Sequence, residues 1–150
     1  NTNYRVLNTA AELTTYGIAP DELMERAFHL NHYRDVVKLG GLLSNMELIT
    51  PYGVAIVYQP DMTDPISDND IVVELLNSVR EARIMIFVRR VEEKLLRISL
   101  RSRCEYNVAQ FAAKFGGGGH PQAAGLRFRS TYEQFRIDVL EKLLAELEEN

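Results

Sequence analysis

The stretch Arg83-Ile-Met-Ile-Phe-Val-Arg-Arg-Val-Glu-Glu-Lys-Leu-Leu-Arg-Ile-Ser-Leu-Arg101-Ser102 decides the fold. Its first half is a nearly unbroken run of β-branched, aromatic and long apolar side chains, which predicts a strand from Arg83 to Arg90. Its second half, Lys94 to Arg101, alternates Leu96, Ile98 and Leu100 with Arg97, Ser99 and Arg101. Alternation of period two places one set on a core face and leaves the other wet and basic. Val91-Glu92-Glu93 is short enough to join the two as a hairpin.

Strands and helices continue on both sides of this hairpin. Upstream, Gly53-Val54-Ala55-Ile56-Val57-Tyr58 reads as a buried strand closed by Gln59-Pro60. After a polar loop, Asp70 or a neighbour is placed to cap a helix through Val79. Downstream, Asn107 caps a short helix in which Val108, Phe111, Ala112 and Phe115 share one face. Leu126 to Arg129 alternates again, and Ser130-Thr131-Tyr132-Glu133 has the capping-box spacing that opens a helix over about Thr131 to Glu148. At the other end, helical periodicity runs from Tyr4 to Tyr16 and stops at Gly17, resumes from Pro20 to about Leu30, and resumes again from Tyr33 to Glu47. The first fifty residues therefore read as helical throughout. The fold class expected is α/β: a small mixed β-sheet flanked by helices and preceded by a helical linker, with residues 1–50 as linker and 51–150 as the sheet domain.

Composition agrees with a folded chain. At 150 residues, 46% apolar and 25% charged, the sequence has ordinary globular usage. One cysteine, Cys104, can form no internal bridge, which points to a reducing compartment. No apolar run reaches the length of a membrane span and no signal segment opens the chain, so a cytoplasmic protein without a membrane partner is expected. The opening Asn1-Thr2-Asn3-Tyr4 lacks a methionine and suggests a segment of a longer polypeptide. A net charge of −4 argues against a general nucleic-acid coat protein. That average conceals a basic window from Glu81 to Ser130, which reads either as a local anion site or as the solvated and edge-protecting arginines common on strands.

The segment with the most chemical content is Phe115-Gly-Gly-Gly-Gly-His120-Pro121-Gln122-Ala123-Ala124-Gly125. Each glycine costs roughly 0.5 to 1 kcal/mol in lost backbone entropy, so four in a row imply close backbone approach or positive φ. Pro121 favours a first helical position, which predicts a short helix beginning beside His120, kept slim by Ala123-Ala124-Gly125. Loop amides, that helix's dipole and the imidazole would then converge on phosphate oxygens. The alternative is a flexible glycine linker with an incidental histidine. The run lacks both the Lys-Ser/Thr ending of a nucleotide P-loop and the spacing of a dinucleotide fingerprint. Arg101, at the strand end, can fork onto phosphate or stack on a base, or else pair with Glu92 or Glu105. His29 and His32 have no carboxylate at matching spacing for a metal, and Asp61, Asp64, Asp68 and Asp70 lack the glycine and glutamate of a calcium loop.

The strand ending in Arg101-Ser102, followed after a capped helix by Gly117-Gly118-Gly119-His120 and Ala123-Ala124-Gly125, resembles the C-terminal DHH-associated domain of the DHH phosphoesterases. It is most similar to the branch of oligoribonucleases and 3′-phosphoadenosine-5′-phosphate phosphatases, often called exopolyphosphatase-related. The resemblance implies that residues 1–50 are the tail and linker of a catalytic domain, and that 51–150 grip the substrate across a cleft. It places Arg101 and Ser102 on the terminal nucleotide, and Gly117, Gly118, Gly119 and His120 on the phosphate. It implies two manganese ions in the N-terminal catalytic domain and none here, since the Asp-His-His signature is absent from this chain. The partners implied are short single-stranded RNA or a nucleotide phosphate, the catalytic domain, and a possible second copy. On this reading the segment binds and does not cut. Two other roles remain: a tRNA-binding and dimerising module like the one ending alanyl-tRNA synthetases, and a purely structural dimerisation domain.

Overall fold

The computed structural model describes residues 3–28, 32–66 and 69–149. The chain divides into two compact units, Asn1–Val36 and Val37–Asn150.

The first unit holds α1 (Tyr4–Thr15) and α2 (Pro20–Phe28). Asn3 caps α1, its side-chain oxygen accepting from the Val6 N–H at 3.1 Å, and Gly17 ends the segment at φ +84°. No residue of α1 is buried, and Tyr4, Leu7, Leu13 and Tyr16 are all exposed.

In the second unit the sheet runs in the order β1-β2-β3-β4-β6-β5, made from β1 (Glu47–Ile49), β2 (Val54–Gln59), β3 (Ile84–Glu92), β4 (Leu95–Ser102), β5 (Gly118–His120) and β6 (Ala123–Phe128). β2 and β3 are parallel, joined by a crossover through α4 (Asn69–Asn77), and every other pair is antiparallel. The result is the mixed sheet with flanking helices that the sequence predicts. Both faces of β3 are buried, which is why its residues form a continuous apolar run. Ile84, Ile86 and Val88 turn to one core, shared with α5 (Val108–Ala113) and with Phe135, Val139, Leu140 and Leu143 of the C-terminal helix. Met85 and Phe87 turn to the other, against Val72, Val73 and Leu76 of α4 and Leu42 of α3 (Tyr33–Leu43).

Two expectations are corrected. The helix from Tyr33 ends at Leu43, not Glu47, and the first fifty residues are not all helical, because Glu47–Ile49 pairs with β2. Ser44 Oγ and Asn45 Nδ2 both donate to the Gly41 carbonyl, at 2.8 and 2.9 Å, and so close the helix. Glu47 is then held by a bidentate pair with Arg136. The second correction concerns Pro121. No helix follows His120: β5 and β6 form an antiparallel pair turning at Pro121-Gln122. A helix over this stretch would have only a few residues before Gly125, too few to satisfy its own backbone. As a strand, β6 instead has ladder partners on both sides, and the loop carbonyls are used too, with Ser102 N–H donating to Gln122 and Val108 N–H to Pro121, both at 3.0 Å.

The cap of α5 is as expected, Asn107 Oδ1 accepting from Ala109 and Gln110 at 3.0 and 3.1 Å. The final helix comprises α6 (Tyr132–Phe135), a π-helical turn (Arg136–Leu140) and α7 (Glu141–Glu148). Its cap is Thr131, accepting from Gln134 N–H at 3.3 Å, one residue later than the Ser130–Glu133 spacing suggests. No helix among the described residues is long and apolar enough to cross a membrane.

Candidate phosphate-binding cleft

Alternation along the hairpin determines which side chains meet. Leu96, Ile98 and Leu100 enter the core with α5, so Arg97, Ser99 and Arg101 project from the opposite face. α4 covers only part of that opposite face, packing on Met85 and Phe87. Beyond α4 the face is open, and a cleft of about 670 Å³ lies there, walled by Arg97, Arg101, Arg127 and Asp70. Ser99, Gly116, Gly117 and Gly125 are among the other residues of its lining. A second hollow of about 540 Å³ adjoins it, sharing Arg101 and bounded by Glu74, Asn77 and Gln122.

The register orders this face in rows. Arg101 stands opposite Ala123, which stands opposite His120. Ser99 stands opposite Gly125, and Gly125 opposite Gly118. The middle row is therefore a floor almost without side chains, flanked by charged rows.

The glycines divide by cause. A Cβ on Gly117 would lie 2.4 Å from the Gly125 carbonyl oxygen, and one on Gly119 would lie 2.4 Å from the Ala123 carbonyl oxygen, so the tight seating of β5 on β6 requires both. Gly116 is required by its φ of +74°. At Gly118 a Cβ would meet nothing within 4 Å. Neither the dihedral nor the chain's own packing accounts for glycine there.

Of the residues the sequence singles out, the structure brings Arg101 and Gly117 together on the cleft, with Gly118 in the adjacent floor row. Arg101 donates from Nη1 to the Leu100 carbonyl at 3.3 Å and makes a loose pair with Asp70, Nη2 to Oδ1 at 3.4 Å with the carboxylate well exposed, a pair weak enough to exchange onto a stronger anion. His120 is exposed, two strands from Arg101 in the same row, roughly 10 Å away at the backbone, and does not line either hollow. Ser102 is buried, on the other face of β4 from Arg101, and borders the second hollow beside it. Its hydroxyl donates to the Cys104 carbonyl at 3.0 Å and accepts from the Cys104 N–H at 3.3 Å. Burial acts to raise the Cys104 thiol, but the Ser102 hydroxyl, the Tyr106 N–H and Arg83 together bring it below its ordinary value. His29 and Asp68 lie outside the described residues.

Sequence reasoning missed Arg97, Arg127 and Ser99 as cleft residues. The alternation showed that Arg97 and Ser99 share a face with Arg101, but only the register of β6 brings Arg127 beside them.

Without a helix after His120, the groups this face offers to an anion are guanidinium forks and N–H groups along the free side of β5, an edge strand. Among the described residues no three His, Cys, Asp or Glu side chains gather to hold a metal ion.

Residues 52–150 match the DHHA1 domain. The chain is 32% identical over 149 residues to the bifunctional oligoribonuclease and PAP phosphatase NrnA of Thermus thermophilus, covering 98% of this chain and 45% of that protein. It is 28% identical to the protein of the same name from Bacillus subtilis, covering 91% of this chain and 44% of the relative. It thus spans less than half the length of either. The crystal structure of an exopolyphosphatase-related protein from Bacteroides fragilis superposes with a TM-score of 0.85 at 26% identity, over 97% of this chain and 44% of that one. A pGpG-specific phosphodiesterase from Vibrio cholerae shares the fold at a TM-score of 0.63 and 13% identity, over 99% of this chain and 51% of that one.

Proposed function

The chain belongs to the DHHA1 domain family, and from that premise we propose that it is the substrate-holding portion of a manganese-dependent phosphoesterase acting on short oligoribonucleotides or nucleotide phosphates in the cytoplasm. The observation that carries this reading is the open basic cleft with a glycine floor. Arg101, released from its loose pair with Asp70, grips a phosphate through its fork, and Gly118 lets the ligand backbone approach the sheet. His120, at the rim of β5, donates from the outer side, while Ser102 holds the turn after Arg101 and so positions that residue.

The described residues do not gather a manganese site. In this proposal residues 1–50 are the tail and linker of a catalytic domain that supplies the ions. This portion contributes positioning, which turns an encounter between two molecules into an oriented one.

Fluorescence titration of a short 5′-phosphorylated oligoribonucleotide into the protein tests the assignment. Binding is expected to weaken with salt, and Arg101→Ala is expected to lower affinity about tenfold, the loss of one charge-assisted hydrogen bond. His120→Ala is expected to lower it less. Unchanged affinity in both variants would remove the site.

A further inference from the structure

We propose that the cleft carries a second anion subsite, an arginine row of Arg89, Arg97 and Arg127, which makes it a receptor for an oligonucleotide about four nucleotides long in preference to a single nucleotide phosphate. This rests on reading the cleft as a phosphate-ligand site and adds the length of the ligand to that reading.

The row is set by register. Arg89 stands directly opposite Arg97 across β3 and β4, and Arg97 directly opposite Arg127 across β4 and β6. Like charges directly opposite on one sheet face are destabilising. Two such pairs sit side by side, and among the described residues no carboxylate forms an ion pair with any of the three. Arg89 is the inner end. Its Nε is buried without a hydrogen-bond partner, and its Nη1 reaches the Ile66 carbonyl only at 3.5 Å. Burial, and then the charge of Arg97, hold its pKa below the ordinary guanidinium value. Edge protection, the usual reason for charged side chains on strands, does not apply to Arg89 and Arg97, which have ladder partners on both sides; Arg127 lies past the end of β5, where β6 is itself an edge. Arg97 and Arg127 line the open cleft and Arg89 stands behind them, outside its lining; three cations clustered in this way are what a polyanion would neutralise.

The geometry gives the length. Arg97 and Arg101 lie four residues apart on one face of β4, about 13 Å at strand rise. That matches the rise of about four stacked nucleotides at roughly 3.4 Å each. Between the two charged rows lie Ser99, Gly125 and Gly118, which leave the path open, and the 670 Å³ cleft is walled by both Arg101 and the pair Arg97 and Arg127.

The test uses 5′-phosphorylated oligoadenylates of two and five nucleotides, titrated over a range of salt into the wild-type chain and its variants. The pentamer is expected to bind about tenfold tighter than the dimer. Arg97→Gln and Arg127→Gln should each bring the pentamer toward the dimer's affinity, reduce its salt slope by about 0.7, and leave the dimer unchanged. Arg101→Ala should weaken both. The row is overturned if the pentamer binds no better than the dimer, if the two glutamine variants leave the pentamer unaffected, or if they weaken both lengths equally. Those results leave the Arg101 site standing. Failure of either length to bind the wild-type chain would instead remove the site and the row together.

Discussion

Four glycines in succession look alike in a sequence, yet they do not share one reason to be there. Gly116 has its positive φ, Gly117 and Gly119 have the backbone of β6 where a Cβ would go, and Gly118 has open space. Substitutions should separate these. Gly117→Ala places a methyl against the Gly125 carbonyl and Leu126 Cβ, neither of which is a flexible side-chain end, and is expected to lower stability by about 1 to 3 kcal/mol, as overpacking does. Gly118→Ala is expected to leave the thermal midpoint near wild type while weakening oligonucleotide binding, since the new methyl rises from the row shared with Gly125 and Ser99. Thermal denaturation paired with titration checks both, and normal binding by Gly118→Ala would mean that no ligand approaches that floor. The glycine run announced a close approach, but assigning causes needed the register of β6, which no local pattern encodes.

Elements were legible where one signal dominated. The β3–β4 hairpin followed from alternation against a continuous apolar run, and α5 from its cap and periodicity, because those residues face one core each. β1 was lost because the periodicity of Leu39, Leu42, Leu43 and Met46 runs past the point where Ser44 and Asn45 close the helix. β5 and β6 were misread because Pro121 mimics a helix start, while the competing force is a ladder to β4, far earlier in the chain (Arg101 opposite Ala123, Leu96 opposite Phe128), in line with tertiary pairing overriding local propensity. β1 is fastened to the C-terminal helix by Glu47 and Arg136, whose stabilisation has a calculable pH dependence. The hydrogen bonds from Arg136 hold the Glu47 carboxyl below its ordinary value; burial opposes them, and the charge of Arg136 adds a smaller lowering. A depressed folded pKa means the contribution is fully present above the unfolded value, about 4.3, and lost as pH falls through the folded one. Both side chains are well exposed, 38% for Arg136 and 46% for Glu47, so the pair is worth at most about 1 kcal/mol. Chemical denaturation of the wild type and Glu47→Gln is expected to show that gap at neutral pH and its closing as the solution is acidified below the unfolded carboxylate value. A gap that persisted in acid would mean the side chain acts by packing and not by charge.

At the scale of the molecule, the candidate site was legible as chemistry before it was legible as geometry. The basic window around the hairpin and the glycine run with its histidine could be read from composition and order, but the arginine row across β3, β4 and β6 exists only once three strands are set in register. The same reading predicted a division of labour, with grip on this chain and hydrolysis elsewhere. That division is open to a direct test, because a phosphoesterase that activates water with metal needs a set of metal-binding side chains in addition to whatever holds the substrate. The expected outcome is that the purified 150-residue chain, supplied with manganese and a 5′-phosphorylated pentaadenylate, binds the oligonucleotide but releases no mononucleotide above the buffer control. Chromatography of the reaction over hours measures the release, and anisotropy on the same sample confirms that ligand is bound. Manganese-dependent release that disappears in Arg101→Ala would show that this chain cuts as well as holds, and would overturn the division of labour while leaving the cleft as its site.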